Sequence, residues 1–124
     1  KENLDPQEHI AVGRALAPLR DEGVLIIGSG MSYHNMRAFR TPSATAPSAQ
    51  FDASLSEALA KEDQSGRFDS LNHWADMPAA RNAHPREEHL LPLMIAAGAG
   101  EGDAGENVFS DVVMKATISA FRFG

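Results

Sequence analysis

The apolar run VLII at residues 24–27 lies between Gly23 and Gly28 and constrains the fold more than any other segment. Four consecutive apolar residues between glycines are typical of a strand buried on both faces, as strands of parallel sheets are. The preceding residues 6–23 predict a helix with Asp5 as its N-terminal cap. Because a helix that leads into such a strand is half of an α/β unit, the sequence predicts an α/β fold with a central, mostly parallel sheet flanked by helices.

Composition restricts the partners and the metal ligands. The chain has 124 residues, enough for one domain, and its net charge of −6 argues against nucleic acid as a partner. No window approaches the roughly 18 apolar residues of a membrane span. The polar N-terminus KENLDPQEH does not resemble a signal peptide, and we expect a cytoplasmic location. Because cysteine is absent, any metal must bind to histidine and carboxylate side chains.

The segment GSGMSYHN at residues 28–35 carries the first candidate site. Open α/β sheets keep their ligand sites at the carboxyl ends of strands, and glycine permits a positive φ or the close approach of a ligand. His34 is then expected at the mouth of a cleft, with a plain turn and a surface histidine as the alternative. The glycine spacing fits no familiar phosphate-binding loop, and Ser29 with His34 lacks the residue order of a nucleophile elbow.

The segment HPREEHLLPL at residues 84–93 carries the second candidate site. Pro85 suits the first position of a helix, which predicts a helix from residue 85 to the glycines near residue 98. His84 would then cap the helix, and His89 would lie about one turn inside it. Pro92 would kink the helix interior beside His89. A helix with a tolerated kink and solvated charges is the alternative.

The remaining elements are predicted from local pattern. Residues 41–50, TPSATAPSAQ, are typical of a surface loop, and an amphipathic helix is expected to start at Phe51. Short helical pieces are expected between residues 65 and 83. The alternation in KATISAFRF favours one or two strands over residues 108–123.

The two histidine segments together resemble the class III extradiol dioxygenases, in the branch of the DOPA 4,5-dioxygenases. The matching stretches are LDPQEHIAVGRALAPLRDEGVLIIGSGMSYHN, the FD that starts the next helix, HPREEHLLPL and the terminal SAFRFG. Members of that family are longer, and this chain resembles their C-terminal half. The resemblance implies a single domain over residues 1–124 that lacks its N-terminal portion, which holds two metal-binding histidines in the family.

The resemblance also implies a chemistry and a set of site residues. The family opens a catechol ring with O₂ at a non-haem Fe(II), and several members hold Zn(II) instead. By position His89 is the expected metal ligand, with Glu88 as the alternative ligand or a supporting group. His34 would take a proton from the catechol and return it, and it is also a candidate ligand. Supporting or substrate-binding roles are expected for four further residues: His84, Asn35, Ser29 and Gly30.

Other functions and a partner follow from the same features. The chain is alternatively a non-catalytic half-domain that completes a partner, or a metal-dependent hydrolase-like or binding protein on the same fold. Because a sheet that lacks strands leaves a bare edge, we expect a homo-oligomer or association with the missing N-terminal half. The expected contact lies along residues 24–27 or the terminal strand.

Overall fold

Six helices and a two-stranded sheet follow one another in the computed structural model, which describes residues 4–124. None of the helices in this part of the chain is both long enough and apolar enough to cross a membrane. The helices are α1 Pro6–Leu16, α2 Pro18–Asp21, α3 Thr45–Leu59, α4 Gln64–Asn72, α5 Ala80–Ala83 and α6 Leu91–Ala99, the strands are β1 Gly105–Val113 and β2 Ala116–Phe123, and 3₁₀ turns occupy Pro42–Ala44 and Trp74–Asp76.

Helix α1 begins where the sequence predicts. The carboxylate of Asp5 accepts a hydrogen bond from the N–H of Gln7 at 2.9 Å. Pro6 occupies the first turn, where backbone N–H groups have no partner within the helix, so the N–H that proline lacks is not needed. The single helix predicted over residues 6–23 is interrupted at Ala17, between α1 and α2. Gly23, with φ +78°, ends the helical segment in the left-handed region that glycine tolerates.

Helices α1 and α6 touch through their backbones. A Cβ atom on Gly13 of α1 would overlap the carbonyl oxygen of Ile95, and a Cβ on Gly98 of α6 would overlap that of Ile10. The two glycines therefore allow a helix approach that any larger side chain prevents. The buried face of α1 is formed by Ile10 and Gly13, whereas Val12 is half exposed.

Residues 24–27, predicted as a buried strand, are not a strand in the described chain. The segment is extended but pairs with no strand, and the side chains of Leu25 and Ile27 are 81% and 76% exposed. The sheet contains only β1 and β2, so the expected central parallel sheet does not occur within residues 4–124. The physical reason is the lack of a neighbour, because a strand exists only through hydrogen bonds to another strand.

The strands predicted near the C-terminus form an antiparallel hairpin. Strand β1 pairs with β2, with an irregularity between Asn107 and Phe109. Met114 and Lys115 form the connecting turn with φ values of 50° and 68°, as a type I′ turn requires at both central residues. The turn is held from outside, since the N–H of Arg40 donates to the Met114 carbonyl at 2.8 Å and the Thr45 hydroxyl donates to the Lys115 carbonyl at 3.0 Å.

Two predicted boundaries are wrong, and prolines explain both. Residues 41–50 are mostly helical, because Pro47 lies in the first turn of α3, where an N–H is not needed. Residues 85–90 form turns, and α6 starts only at Leu91. Pro92 therefore occupies the first turn of α6 and does not kink the helix, contrary to the prediction. The short helical pieces between residues 65 and 83 occur as α4, the turn Trp74–Asp76 and α5.

The core is centred on α3, whose apolar face packs against the 3₁₀ turn Trp74–Asp76 and against the end of α5. Phe51 contacts Trp74 edge to face, with ring centroids 6.3 Å apart, and the His84 ring with centroids 5.4 Å apart. Leu55 and Leu59 are fully buried on the same helix. The end of α5 is thus held rigidly against the core, and the segment that carries His89 follows it directly.

Candidate functional site

The two histidine segments lie side by side and run in opposite directions. The N–H of Met31 donates to the carbonyl of His89 at 2.9 Å, and the N–H of His34 donates to the carbonyl of Ala83 at 2.9 Å. These two bonds bracket the site and bring together the two parts of the chain that the sequence singled out. Ala83 contributes only a backbone atom, for which the sequence carries no signal.

The glycines of the first segment allow its contact with the second. A Cβ atom on Gly30 would overlap the carbonyl oxygen of His89, and a Cβ on Gly28 would overlap that of Pro92. Neither glycine adopts a positive φ, since Gly23 and Gly124 are the glycines that do so among the described residues. The sequence analysis explained these glycines by a positive φ or by the close approach of a ligand. In the structure, the backbone of the neighbouring segment approaches them instead.

The imidazole rings of His34 and His89 stack on each other. Their centroids are 3.5 Å apart and their planes are inclined by 14°. His34 is partly buried and His89 is exposed to solvent. Burial lowers the pKa of His34, the neighbouring His89 lowers it further, and the carboxylate of Glu88 opposes both. The lowered pKa of His34 favours the neutral form of the ring, which is the form that accepts a proton.

His84 lies behind this pair and is fully buried. It is not a helix N-cap as predicted, because it follows the last residue of α5. Its Nε2–H donates to the carbonyl of Ser32 at 3.0 Å, and its Nδ1 has no partner among the described residues. Burial lowers the pKa of His84 to about 4, although the bond to Ser32 opposes this. His84 is thus a neutral ring that supports the segment carrying His34.

Asn35 ties the turn after His34 to α5. Its Nδ2 donates to the carbonyl of Asn82 at 2.7 Å, and its Oδ1 accepts from the N–H groups of Arg37 and Ala38 at 3.2 and 3.3 Å. Its side chain is thus engaged in shaping the loop. Ser29 is exposed on the extended segment.

The two carboxylates beside His89 are engaged with arginines. Glu88 contacts Arg86 at 2.8 Å, and Glu87 accepts a hydrogen bond from Arg81 at 2.8 Å, which lowers the pKa of Glu87. The carboxylate of Glu88 is therefore engaged in an ion pair with Arg86. Arg81 also lies over the Trp74 ring, 4.7 Å from its centroid, so the Glu87 pair is anchored to the core.

A groove of about 690 Å³ opens next to His89. The extended segment forms one wall, the outer edge of β2 forms the other, and α6 lies beneath them. At the far end Arg20 donates to the carbonyls of Ala99 and Phe123, both at 3.2 Å. The groove is lined by residues 23–28, 30–32 and 119–124 together with Arg20, His89, Leu93, Ala96, Ala99 and Gly100.

Within residues 4–124 no group of three histidine, aspartate or glutamate side chains is arranged to hold a metal ion. The Nδ1–H of His9 donates to the Asp5 carbonyl, and His73 is exposed and lies against Asp69. Neither histidine approaches the stacked pair. The described residues therefore contribute at most a part of a histidine and carboxylate metal site.

The sequence model of one enzyme family matches nearly the whole chain. The model describes the catalytic LigB subunit of aromatic ring-opening dioxygenases and matches residues 2–123. The chain belongs to this family, which is the class III extradiol dioxygenase family. The resemblance of its two histidine segments to that family is confirmed.

The relatives share the family and are longer than this chain. The chain is 40% identical to the 4,5-DOPA dioxygenase extradiol of Beta vulgaris over 116 residues, which are 90% of this chain and 40% of that protein. It is 44% identical to the protein of the same name from Portulaca grandiflora over 103 residues, 78% of this chain and 36% of that protein. It is 31% identical to Dioxygenase tasH of Hapsidospora irregularis over 131 residues, 97% of this chain and 40% of that protein.

One solved structure has the same fold. The chain superimposes on an uncharacterized protein from Escherichia coli K12 with a TM-score of 0.73 and 26% identity, over 96% of this chain and 50% of that one. This chain therefore spans about two fifths of the length of the relatives named above and half of the matched structure.

Proposed function

We propose that this chain is the part of an extradiol ring-opening dioxygenase that supplies one metal ligand, His89, and the acid–base group, His34. The proposed substrate is a catechol such as DOPA or a relative. The observation that carries the proposal is the stack of the two imidazoles, since it joins one residue from each family segment at the end of an open groove.

The ring geometry supports different roles for the two histidines. An imidazole nitrogen binds a metal through a lone pair that lies in the plane of its ring. Because the rings of His34 and His89 are stacked with nearly parallel planes and centroids 3.5 Å apart, their lone pairs would not point to one common ion. We assign the metal to His89, which is exposed at the groove. His34, stacked on it, is then free to move protons. Double ligation by His34 and His89 would require one ring to turn.

The donor chemistry fits a non-haem iron or zinc site in part. A histidine ligand in a chain without cysteine suits Fe(II) or Zn(II), and the remaining ligands must come from outside the described residues. When bound, the metal ion supplies the place where the diol and O₂ meet. Glu88 would act as a supporting group that favours the protonated form of His34.

The reaction requires one proton to be held and returned. Both atoms of O₂ enter the product as the ring bond beside the two hydroxyl-bearing carbons breaks, so no external reductant is needed. His34 would accept a proton from a catechol hydroxyl and return it as the ring opens. Its lowered pKa suits the first step, because the ring starts neutral. Asn35 and His84 would keep the His34 segment in place through their bonds to Asn82 and Ser32.

The rest of the proposed enzyme would surround the groove. We propose that the central parallel sheet forms when residues 24–27 pair with strands from the part of the relatives that this chain does not match. The association of this chain with that part or with a second copy, its extent as one domain portion over residues 1–124 and its cytoplasmic location remain predictions.

The test uses the assembled domain, in which this chain is combined with the part of the Beta vulgaris relative that it does not match. With Fe(II), a catechol and O₂, we expect oxygen uptake and a yellow ring-opened product. The His89→Ala variant should lose tight metal binding and activity, because water must replace an imidazole. The His73→Ala variant removes an exposed histidine outside the site and should retain both.

One other function has a specific observation in its favour. Because the described residues hold no three-ligand group, a non-catalytic half-domain that only completes a partner is the second candidate. Metal content separates the two functions. An assembled domain that binds neither iron nor zinc, or binds them equally well after His89→Ala, would overturn the first function. Hydrolysis of an ester or amide without oxygen uptake would instead favour the hydrolase-like alternative.

A further inference from the structure

Ser32 is a buried residue on which two hydrogen bonds from different elements converge. The N–H of Ser119 in β2 donates to the Ser32 hydroxyl oxygen at 2.9 Å. The Nε2–H of His84, just after α5, donates to the Ser32 carbonyl oxygen at 3.0 Å. The side chain and the backbone of this serine are therefore fixed independently of each other.

Ser32 also lies between the two backbone bonds that bracket the histidine stack. The preceding residue, Met31, bonds to the His89 carbonyl, and the second residue after it, His34, bonds to the Ala83 carbonyl. Ser32 thus connects β2 to the short stretch of chain on which the position of the His34 ring depends. Asn35, just after His34, ties the segment to α5 through the Asn82 carbonyl, whereas Ser32 ties it to β2. Ser29, on the other side of Ser32, is exposed.

We propose that Ser32 is a positioning residue for His34. Its hydroxyl fixes the extended segment to β2, and this holds the His34 ring in its stack on His89. Ser32 does not touch reacting atoms, so its effect on catalysis passes through His34. The catalytic consequence rests on the proposed function, whereas the structural consequence concerns this chain alone. The sequence gives no hint of the role, because serine two residues before a histidine is a common pattern.

Strand β2 provides a matched control. The N–H of Thr117, two residues earlier on the same edge, donates to the hydroxyl of Ser48 in α3 at 2.9 Å. Ser48, like Ser32, is buried. Removing either hydroxyl leaves one N–H of β2 without its acceptor, which destabilises the fold by the same mechanism. Only Ser32 belongs to the segment that carries His34.

The first experiment is proton NMR of the chain without metal. Stacked imidazoles shield each other's ring protons, and the His34→Ala variant identifies the shifted signals of His89. In the Ser32→Ala variant we expect the chemical shifts of the His89 ring protons to return to the values of an unstacked histidine. The Ser48→Ala variant should lower the melting temperature to a similar extent and leave the shifts unchanged.

The second experiment is kinetic and uses the assembled domain. Ser32→Ala should lower kcat by about 10 to 100-fold with little change in KM, because a misplaced catalytic group weakens the chemical step. Ser48→Ala should keep kcat, and Ser32→Thr, which retains the hydroxyl, should recover most of it. If no variant of the assembled domain opens rings, the proposed function fails, but the NMR result still decides the role of Ser32.

Two results would overturn the inference. One is a Ser32→Ala spectrum with the histidine shifts intact, and the other is an equal loss of those shifts in Ser48→Ala. Hydrogen exchange in the unchanged chain covers the case in which Ser32→Ala does not fold. The amides of Ser119 and Thr117 should both exchange slowly, and rapid exchange at Ser119 alone would show that the Ser32 anchor does not form.

Discussion

His34 and His89 face each other through nearly parallel rings, 3.5 Å apart at their centroids, although 54 positions separate them in the chain. The contact depends on the backbone bond from Met31 to the His89 carbonyl and on the absence of a side chain at Gly30. A stack of this kind gives the two rings unequal positions, one exposed to the groove and one partly buried. Different chemical roles follow from these positions.

The first prediction concerns His34, the partly buried member of the stack. His34→Ala in the assembled domain should retain its metal, because His89 keeps its position, and should lose about 10² to 10⁴ in turnover with the loss of the acid–base group. Metal analysis and oxygen uptake measure the two effects. If the metal is lost together with the activity, His34 is a ligand and the assignment of roles is wrong.

The second prediction concerns pH and His84. Burial lowers its pKa to about 4 in the folded chain, against an ordinary value of about 6.5 in the unfolded chain. The unfolded state then binds more protons between these values, so stability rises with pH there. The contribution, on the order of 3 kcal/mol, is fully present above about pH 6.5 and is lost as the pH falls toward 4.

The measurement for His84 is urea denaturation at a series of pH values. His84→Gln removes the titrating ring, so its free energy of unfolding should depend less steeply on pH between 6.5 and 4 than that of the parent chain. His73→Gln changes an exposed histidine and should keep the parent slope. Parallel curves for the parent and His84→Gln would contradict a buried neutral imidazole.

The third prediction concerns Pro92. Because Pro92 lies in the first turn of α6, its replacement by alanine restores an N–H at a position where helices leave N–H groups unpaired. Pro92→Ala should therefore change the free energy of unfolding by less than about 1 kcal/mol, far from the roughly 3 kcal/mol of an interior proline. Thermal melts can measure this difference, and a large gain in stability would indicate an interior kink after all.

The fourth prediction concerns the exposed apolar segment. Leu25 and Ile27 project from a chain segment that pairs with no strand in residues 4–124, and unpaired edges promote association. Light scattering of the chain at micromolar concentration should show a species larger than a monomer. Ile27→Asp should shift it toward the monomer, whereas Val12→Asp, a half-exposed position on α1, should not. A monodisperse parent monomer would contradict this expectation.

Local signals in the sequence predicted the local parts of the structure. The cap at Asp5 and the strands of the C-terminal hairpin are confirmed, because each depends on neighbouring residues. The strand at residues 24–27 is not formed, since a strand needs a partner that local pattern does not supply. The start of α6 was predicted six residues too early, at Pro85 instead of Leu91, because Pro85 and Pro92 both suit a first turn and only the packing decides between them.

The sequence singled out two histidines that meet in the structure, whereas the geometry of their contact was not predictable from it. Sequence motifs singled out His34 and His89, and the structure brings them into contact. Their stacking, the role of Ser32 and the ion pair between Glu88 and Arg86 depend on atoms far apart in the sequence. The two glycines at residues 28 and 30 were noticed for the wrong reason, because a requirement for close packing and a requirement for backbone freedom select the same amino acid.

Helices α1 and α6 cross at Gly13 and Gly98, near the end of α6 that is far from His89. Leu91, at the start of α6, lies seven residues from Gly98, or about 10 Å along the helix axis. A methyl group added at the crossing would push the helices apart and tilt α6, and the tilt would reach the His89 segment as a displacement. The position of the His89 segment thus depends partly on two residues that carry no side chain and lie outside the histidine stack.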